Sequence, residues 1–234
     1  MPIELTEAGF SEWRHHRPGE PGLAADSRRL CECVAHFHSA RMRGWIGSPG
    51  LGFAERNLDF LRETPDASWL WFWDVELDDV SGLYTLPRLK EFGINPKRPG
   101  IDFGRLPPLD IVVNHWNQAD QGLTECRIEK YDLWHYKPRS KSFAELSLPV
   151  ASRLRLYWCN PETLDHLPAL PRLKALEIHR CRNLRDLTAL PRVAPNLKSL
   201  LVTSSGRCLP DAGIQSHPTL KYAVFNGKNV LAGR

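Results

Sequence analysis

The 234-residue sequence predicts an α/β solenoid of about eight short repeats, preceded by a mainly β cap. Two observations predict this fold class. One apolar pattern recurs about every 22 residues from residue 57 onward, and proline recurs between its copies. A single repeat cannot fold alone, because ordering its backbone costs about 1–2 kcal/mol per residue and only a few apolar side chains are buried in return. The repeats must therefore stack, and their stability becomes cooperative along the array.

The first 56 residues carry no copy of the repeat and are expected to cap its open end. Residues 13–22 predict a loop, because proline and glycine are concentrated there. Residues 30–38 alternate in polarity and predict a strand, and residues 44–46 predict another strand before a turn-rich segment. The predicted domains are therefore a cap of residues 1–56, continuous with the array, and a repeat domain of residues 57–234.

The six cysteines are expected to be free thiols, because no secretory signal precedes a chain of this length. Cys31, Cys33, His36 and His38 are close enough in sequence to suggest a metal site. On the predicted strand, however, the thiols and the imidazoles point to opposite faces and cannot converge on one ion. The sequence therefore predicts no metal and no cofactor.

Each repeat contains two or three apolar positions that predict a short strand. The clearest copy, residues 173–187, reads L-K-A-L-E-I-H-R-C-R-N-L-R-D-L. The last apolar strand position serves as a register mark, and successive marks are 19–24 residues apart. The eight marks are Phe72, Ile94, Asn114, Leu133, Leu156, Ile178, Val202 and Phe225.

This pattern resembles the leucine-rich repeat family, specifically its short bacterial repeats of about 22 residues. The resemblance covers residues 57–230 and implies a right-handed solenoid with parallel strands on the concave face. Proline in the return segments predicts 3₁₀ turns and irregular chain on the convex side. Asn114 departs from the aliphatic pattern, and the register is least certain between residues 110 and 156.

The composition excludes several classes of protein. Hydrophobic residues make up 42% and charged residues 25% of the chain, and no apolar run is long enough to span a membrane. The net charge of +4 is small and the acids are interleaved with the bases, which disfavours nucleic acid as the main partner. Neither the glycine-rich residues 47–52 nor the acidic residues 74–79 match a phosphate or calcium loop. A monomeric cytoplasmic protein is expected.

Alternate strand positions should face away from the core and line the concave face. Trp, Tyr and Arg at such positions are the residue types that dominate protein interfaces. The alternation places the tryptophans at positions 69, 71 and 73 on this face. The alternative is that the N-terminal segment covers one or two of them, with position 69 nearest that edge. The predicted protein-binding residues are Trp71, Trp73, His115, Asp132, Trp134, Arg153, Arg155, Tyr157, Glu177 and His179.

The repeat family mostly binds other proteins, so the resemblance implies a non-enzymatic interaction module, either an immunity or inhibitor protein or an adaptor. The alternative is a nucleic-acid-binding or tethering protein that combines arginines with stacking tryptophans. Its arginines would be Arg153, Arg155, Arg180, Arg182 and Arg185. An enzyme that uses Asp132, His115 or His179 is the least favoured interpretation, and no catalytic residue is predicted.

Overall fold

The computed structural model describes residues 3–231, except residues 18, 207, 209 and 211. The chain divides into two compact units. The first comprises Met1–Leu109 and Ala119–Gln121, and the second comprises Asp110–Gln118 and Gly122–Arg234. The predicted boundary at residue 57 lies within the first unit and stays a prediction.

The described residues of the first unit form six strands that are neighbours in chain order. The first three pair antiparallel, and each of the next three pairs parallel with the strand before it. The strands are β1 (Glu4–Leu5), β2 (Ser11–Arg17), β3 (Glu20–Ala24), β4 (Gly44–Gly47), β5 (Trp69–Glu76) and β6 (Glu91–Lys97). One helix, α1 (Leu30–Ser39), joins β3 to β4. The 3₁₀ segments are Ser27–Arg29, Pro49–Leu51, Asp59–Glu63, Ser81–Thr85 and Phe103–Arg105.

The strand predicted at residues 30–38 is wrong, because these residues form the helix α1. Cys33, Val34 and Phe37 are buried, and their i, i+1, i+4 spacing is that of one helical face. Phe37 stacks on Trp45 with ring centroids 4.8 Å apart. Cys31 is exposed, so the two thiols do not both point inward as the alternation suggested. Over only eight residues, a polarity pattern with a period of two fits both a strand and one face of a helix. Packing of Phe37 on Trp45 selects the helix.

The loop predicted at residues 13–22 is also wrong. These residues form most of the β2–β3 hairpin, in which Glu12 pairs with Leu23 and Arg17 with Glu20. Gly19 provides the positive φ of 75° that a tight hairpin turn needs. Gly19 therefore lies at the turn, whereas Pro21 and Gly22 lie within β3. The strand predicted at residues 44–46 is confirmed within β4.

The second unit repeats one strand and one return segment. Strands β8 to β12 pair parallel and in register, and β13 closes the series antiparallel to β12. The strands are β7 (Leu109–His115), β8 (Ile128–Trp134), β9 (Arg153–Tyr157), β10 (Ala175–His179), β11 (Ser199–Thr203), β12 (Tyr222–Phe225) and β13 (Lys228–Asn229). The helices α2 (Leu190–Val193) and α3 (Ala212–Gln215) have four residues each. Mostly parallel strands with few helices fit a solenoid-like leucine-rich repeat fold.

All eight register marks are buried, and seven of them are apolar residues with at most 6% exposure. The eighth, Asn114, is fully buried and donates a hydrogen bond of 3.0 Å to the Tyr131 hydroxyl. Burying an amide side chain costs little folding free energy when the amide forms a hydrogen bond. The register predicted between residues 110 and 156 is therefore confirmed, because Asn114, Leu133 and Leu156 all face the core.

Trp69 is buried, which corrects its expected exposure on the concave face and agrees with the alternative of coverage by the N-terminal segment. Its side chain is fully buried, and its Nε1 donates to the Glu20 carbonyl at 3.1 Å. Trp13 packs edge-on against it with ring centroids 5.7 Å apart. The indole lies across Gly22 and Gly44, where a Cβ atom would overlap the ring. The two glycines are thus required by the tryptophan that packs on them.

The Gly44→Ala variant should lower the free energy of unfolding by about 1–3 kcal/mol, because the added methyl group overpacks the buried Trp69 ring. Urea denaturation monitored by tryptophan fluorescence measures this. Gly50→Ala is the control, since the nearest atom to its Cβ would be the Ser48 hydroxyl at 3.9 Å. Equal losses in the two variants would contradict the packing described for Trp69.

Candidate functional site

Four rings form a stack across the strands of the second unit, on the sheet face opposite the core. We call His115, Trp134, Tyr157 and His179 the aromatic row. Their successive centroids are 5.2, 4.5 and 4.7 Å apart, with interplanar angles of 15°, 23° and 12°. These distances match the spacing of about 4.8 Å between neighbouring strands. Both faces of Trp134 and Tyr157 are therefore covered by neighbouring rings, and their edges are left for solvent or a partner.

A second stack follows directly after the strands. We call His135, Trp158 and Arg180 the turn row. His135 and Trp158 stack with centroids 5.3 Å apart, and the Arg180 guanidinium carbon lies 5.1 Å from the Trp158 ring centroid. All three residues have positive φ angles of 52–58°, which cost energy in residues with large side chains. The backbone N–H of each donates to the neighbouring repeat, at 2.8–3.0 Å, which holds this conformation in place.

The turn row enlarges the candidate site beyond what the sequence predicted. His135 and Trp158 are absent from the predicted residues, although they immediately follow Trp134 and Tyr157. Their spacing of one repeat places them at equivalent turns. Strand alternation alone does not reveal them, because the left-handed turn redirects the side chain. A large ring recurring one position after the strand is the signal that identifies such residues.

Beside the aromatic row, charged side chains form a continuous network. We call it the charge network. Arg153 and Arg155 contact opposite oxygens of Asp132 at 3.2 and 3.4 Å. Arg155 also reaches Glu177 at 2.9 Å, and Glu177 accepts from His179 Nε2 at 3.0 Å. The charges alternate in sign across β8, β9 and β10, so each long side chain is held in one orientation.

Burial affects the acidic groups of the charge network differently. Burial raises the pKa of Asp132, and Arg153 and Arg155 offset part of that rise. Burial alone would also raise the pKa of Glu177, but hydrogen bonds from His179 and Arg155 outweigh it and lower that pKa. Burial raises the pKa of the Tyr157 phenol as well. At neutral pH this face therefore presents a neutral phenol edge beside fixed, internally paired charges.

The first unit has its own pair of predicted residues. Trp71 lies across Gly93, where a Cβ would overlap its ring. Trp73 stacks on Trp71 with centroids 5.5 Å apart and an interplanar angle of 20°. Trp73 also borders a cavity of about 510 Å³ with Trp13 and Leu51. Both indoles of this tryptophan pair are half-buried, so they present apolar surface without being enclosed.

All ten predicted binding residues lie on strands. Nine are half-buried, and Asp132 is only 8% exposed. Within the second unit the structure brings together His115, Asp132, Trp134, Arg153, Arg155, Tyr157, Glu177 and His179. Within the first unit it brings together Trp71 and Trp73. Their assignment as a binding surface stays a prediction.

The residues considered for a metal site have other partners. His36 Nε2 lies 2.8 Å from a Glu12 carboxylate oxygen, and His38 Nε2 lies 2.9 Å from the Glu63 carbonyl oxygen. Cys31 and Cys33 are free thiols. Across the described ranges, no three His, Cys, Asp or Glu side chains are grouped to hold a metal ion. No helix in the described part of the chain is long and apolar enough to cross a membrane.

The pKa of Glu177 should lie below the ordinary value of a glutamate, because Arg155 and His179 stabilise its carboxylate. The Arg155→Met variant should raise this pKa while keeping most of the apolar stem. A group with a lowered pKa stabilises the fold above its unfolded pKa, and that contribution is lost as pH falls through the folded pKa. Carboxyl carbon NMR measures both values. A Glu177 pKa that does not change in the variant would contradict the network.

The comparisons give one distant relative. A probable U2 small nuclear ribonucleoprotein A′ of Drosophila melanogaster is 34% identical to this chain over 89 residues. The match covers 38% of this chain and 34% of that protein, so the chain matches only about a third of that relative's length. No family model and no solved structure matches the chain. That relative is a leucine-rich repeat protein, and the match supports a leucine-rich repeat assignment for this chain.

Proposed function

We propose that this chain is a non-enzymatic protein-binding module whose partner contacts the aromatic row, the turn row and the charge network of the second unit. The observation that carries the proposal is the stacking of Trp134 and Tyr157 beside arginines already paired with acids. Tryptophan, tyrosine and arginine contribute most of the binding energy at protein interfaces. A surface whose side chains are ordered before binding loses less entropy when the partner arrives.

The orientation of the rings favours protein over nucleic acid. Bases bind proteins by stacking on open aromatic faces. Both faces of Trp134 and Tyr157 are occupied by neighbouring rings, so the aromatic row offers edges. Ring edges carry partial positive charge and suit carbonyl oxygens and side chains of a protein partner. Arg153 and Arg155, which the nucleic-acid alternative requires, already contact Asp132.

The enzyme interpretation has less support from the same geometry. His179 Nδ1 lies 2.7 Å from the Thr203 hydroxyl and Nε2 lies 3.0 Å from Glu177. Both ring nitrogens are thus engaged within the protein, whereas a general base needs one nitrogen directed at its substrate. Asp132 is likewise held by two arginines. These groups orient one another and form an ordered polar surface.

The stacked Trp71 and Trp73 of the first unit are proposed as a separate anchor, since they expose apolar surface beside a cavity.

The relative's name assigns that protein to a ribonucleoprotein, and we extend only protein binding to this chain. An inhibitor or immunity protein would bind one partner and block it. An adaptor would bind two partners at once. Counting the partners bound by one molecule of this chain separates the two roles.

The Trp134→Ala/Tyr157→Ala variant should weaken partner binding by about 30-fold or more, since the loss of even one hot-spot residue costs at least about 2 kcal/mol. A partner is first captured from the source cells with the wild-type chain, identified by mass spectrometry and purified. Calorimetry then gives the dissociation constant for each variant. Circular dichroism shows whether each variant folds.

His166→Ala is the matched control, because this ring is exposed and lies in a return segment. The control should bind as the wild type does. The Trp71→Ala/Trp73→Ala variant tests the first-unit anchor separately. The proposal for the second unit fails if the Trp134→Ala/Tyr157→Ala variant folds and binds the partner with unchanged affinity.

A further inference from the structure

Three lysines are aligned immediately before strands β10, β11 and β12. We call Lys174, Lys198 and Lys221 the lysine strip. The Lys198 N–H donates to the Lys174 carbonyl and the Lys221 N–H donates to the Lys198 carbonyl, both at 2.9 Å. The three residues therefore occupy equivalent positions on consecutive repeats, separated by about 4.8 Å per strand. All three side chains are exposed.

The lysine strip places three positive charges side by side on consecutive repeats. None of its three ammonium groups takes part in an ion pair among the residues that the structure describes. Like charges at neighbouring strand positions destabilise a sheet. The surrounding composition adds to this repulsion. The second unit contains 18 Lys and Arg against 10 Asp and Glu, a net charge of +8, whereas the first unit has 13 against 17, a net charge of −4.

A depression of about 440 Å³ adjoins two of these lysines. Val150 and Pro171 provide apolar walls, and Arg172 adds a fourth exposed cation. Glu129 and Ser152 complete the lining, so Lys174, Lys198 and Arg172 outnumber the one carboxylate there. Asn196 is fixed by donating to the Pro171 carbonyl at 2.9 Å. The combination of cations around a small apolar depression suits a segment that carries both carboxylates and an apolar side chain.

We propose that the lysine strip and this depression bind a short acidic segment of the protein partner. The proposal rests on the proposed protein-binding function and specifies the chemistry of the partner. In an extended segment, alternate side chains point the same way and lie about 6.4–6.8 Å apart. Flexible lysine stems can match this spacing. Two or three carboxylates would contact the ammonium groups while one apolar side chain fills the depression.

The size of the patch favours a peptide over a nucleic acid. The lysine strip ends at Ser152, which occupies the equivalent position of the preceding repeat and donates to the Glu129 carboxylate at 3.2 Å. The lysine strip therefore covers three consecutive strands, which is only about two strand spacings. Nucleic-acid binding depends on neutralising many phosphates along a longer track. The apolar walls of Val150 and Pro171 have no role in a contact with phosphates alone.

Fluorescence anisotropy with a labelled glutamate-rich decapeptide that carries one central leucine tests the proposal. The same peptide with glutamine in place of glutamate and a single-stranded oligothymidylate are the comparison probes. The Lys174→Gln/Lys198→Gln/Lys221→Gln variant should bind the acidic peptide about tenfold more weakly. Lys137→Gln/Lys141→Gln/Lys228→Gln is the matched control, because it removes the same charge from exposed lysines of the same unit. The control should stay within about threefold of wild type.

Three results would overturn the proposal: no binding of the acidic peptide to the wild type, equal losses in the two triple variants, or tighter binding of the oligothymidylate that depends on the same lysines. The purified partner separates this proposal from the proposed function. If the strip variant binds the partner as the wild type does while Trp134→Ala/Tyr157→Ala does not, the module stands and the acidic-segment proposal fails.

Discussion

The in-register pairing of parallel strands is the constraint on which the rest of this structure depends. It places equivalent positions of successive repeats side by side, so that any residue type recurring in the repeat becomes a row. Inside, this gives rows of leucine and isoleucine that no single repeat could bury alone. Outside, it gives the aromatic row at a separation that suits ring stacking, with the charge network beside it. A shift of the strand register by one residue would turn the inward-facing apolar residues outward and the outward-facing aromatic and charged residues inward.

The turns after the strands show how this pairing supports an unfavourable local conformation. His135, Trp158 and Arg180 all adopt positive φ, where large side chains are strained by about 1–3 kcal/mol. Each backbone N–H donates to the next repeat, and ring stacking adds contacts between neighbours. The conformation therefore persists because adjacent repeats share it. Ser204 and Asn226 have the same positive φ after their own strands, and Asp74 has it within β5, so this conformation belongs to the repeat turn.

The sequence predicted well what depends on the repeat and less well what depends on tertiary packing. The register marks were correct even at Asn114, because the period constrains that position independently of its polarity. The helix α1 and the β2–β3 hairpin were missed, since neither belongs to a repeat and Phe37 is committed to the helix by packing on Trp45. The turn row was missed because alternation does not extend through a left-handed turn. The net charge of +4 also concealed opposite charges in the two units.

Hydroxyl-radical footprinting of the chain, alone and with its purified partner, tests the central claim most directly. Aromatic side chains oxidise readily when exposed, and the method requires no substitution that could disturb the fold. If the ring edges of the second unit form the partner-binding surface, the partner will slow oxidation of Trp134, Tyr157 and Trp158 together. Unchanged oxidation of these three residues in a saturated complex would contradict the claim, and the protected residues would show which other surface the partner uses.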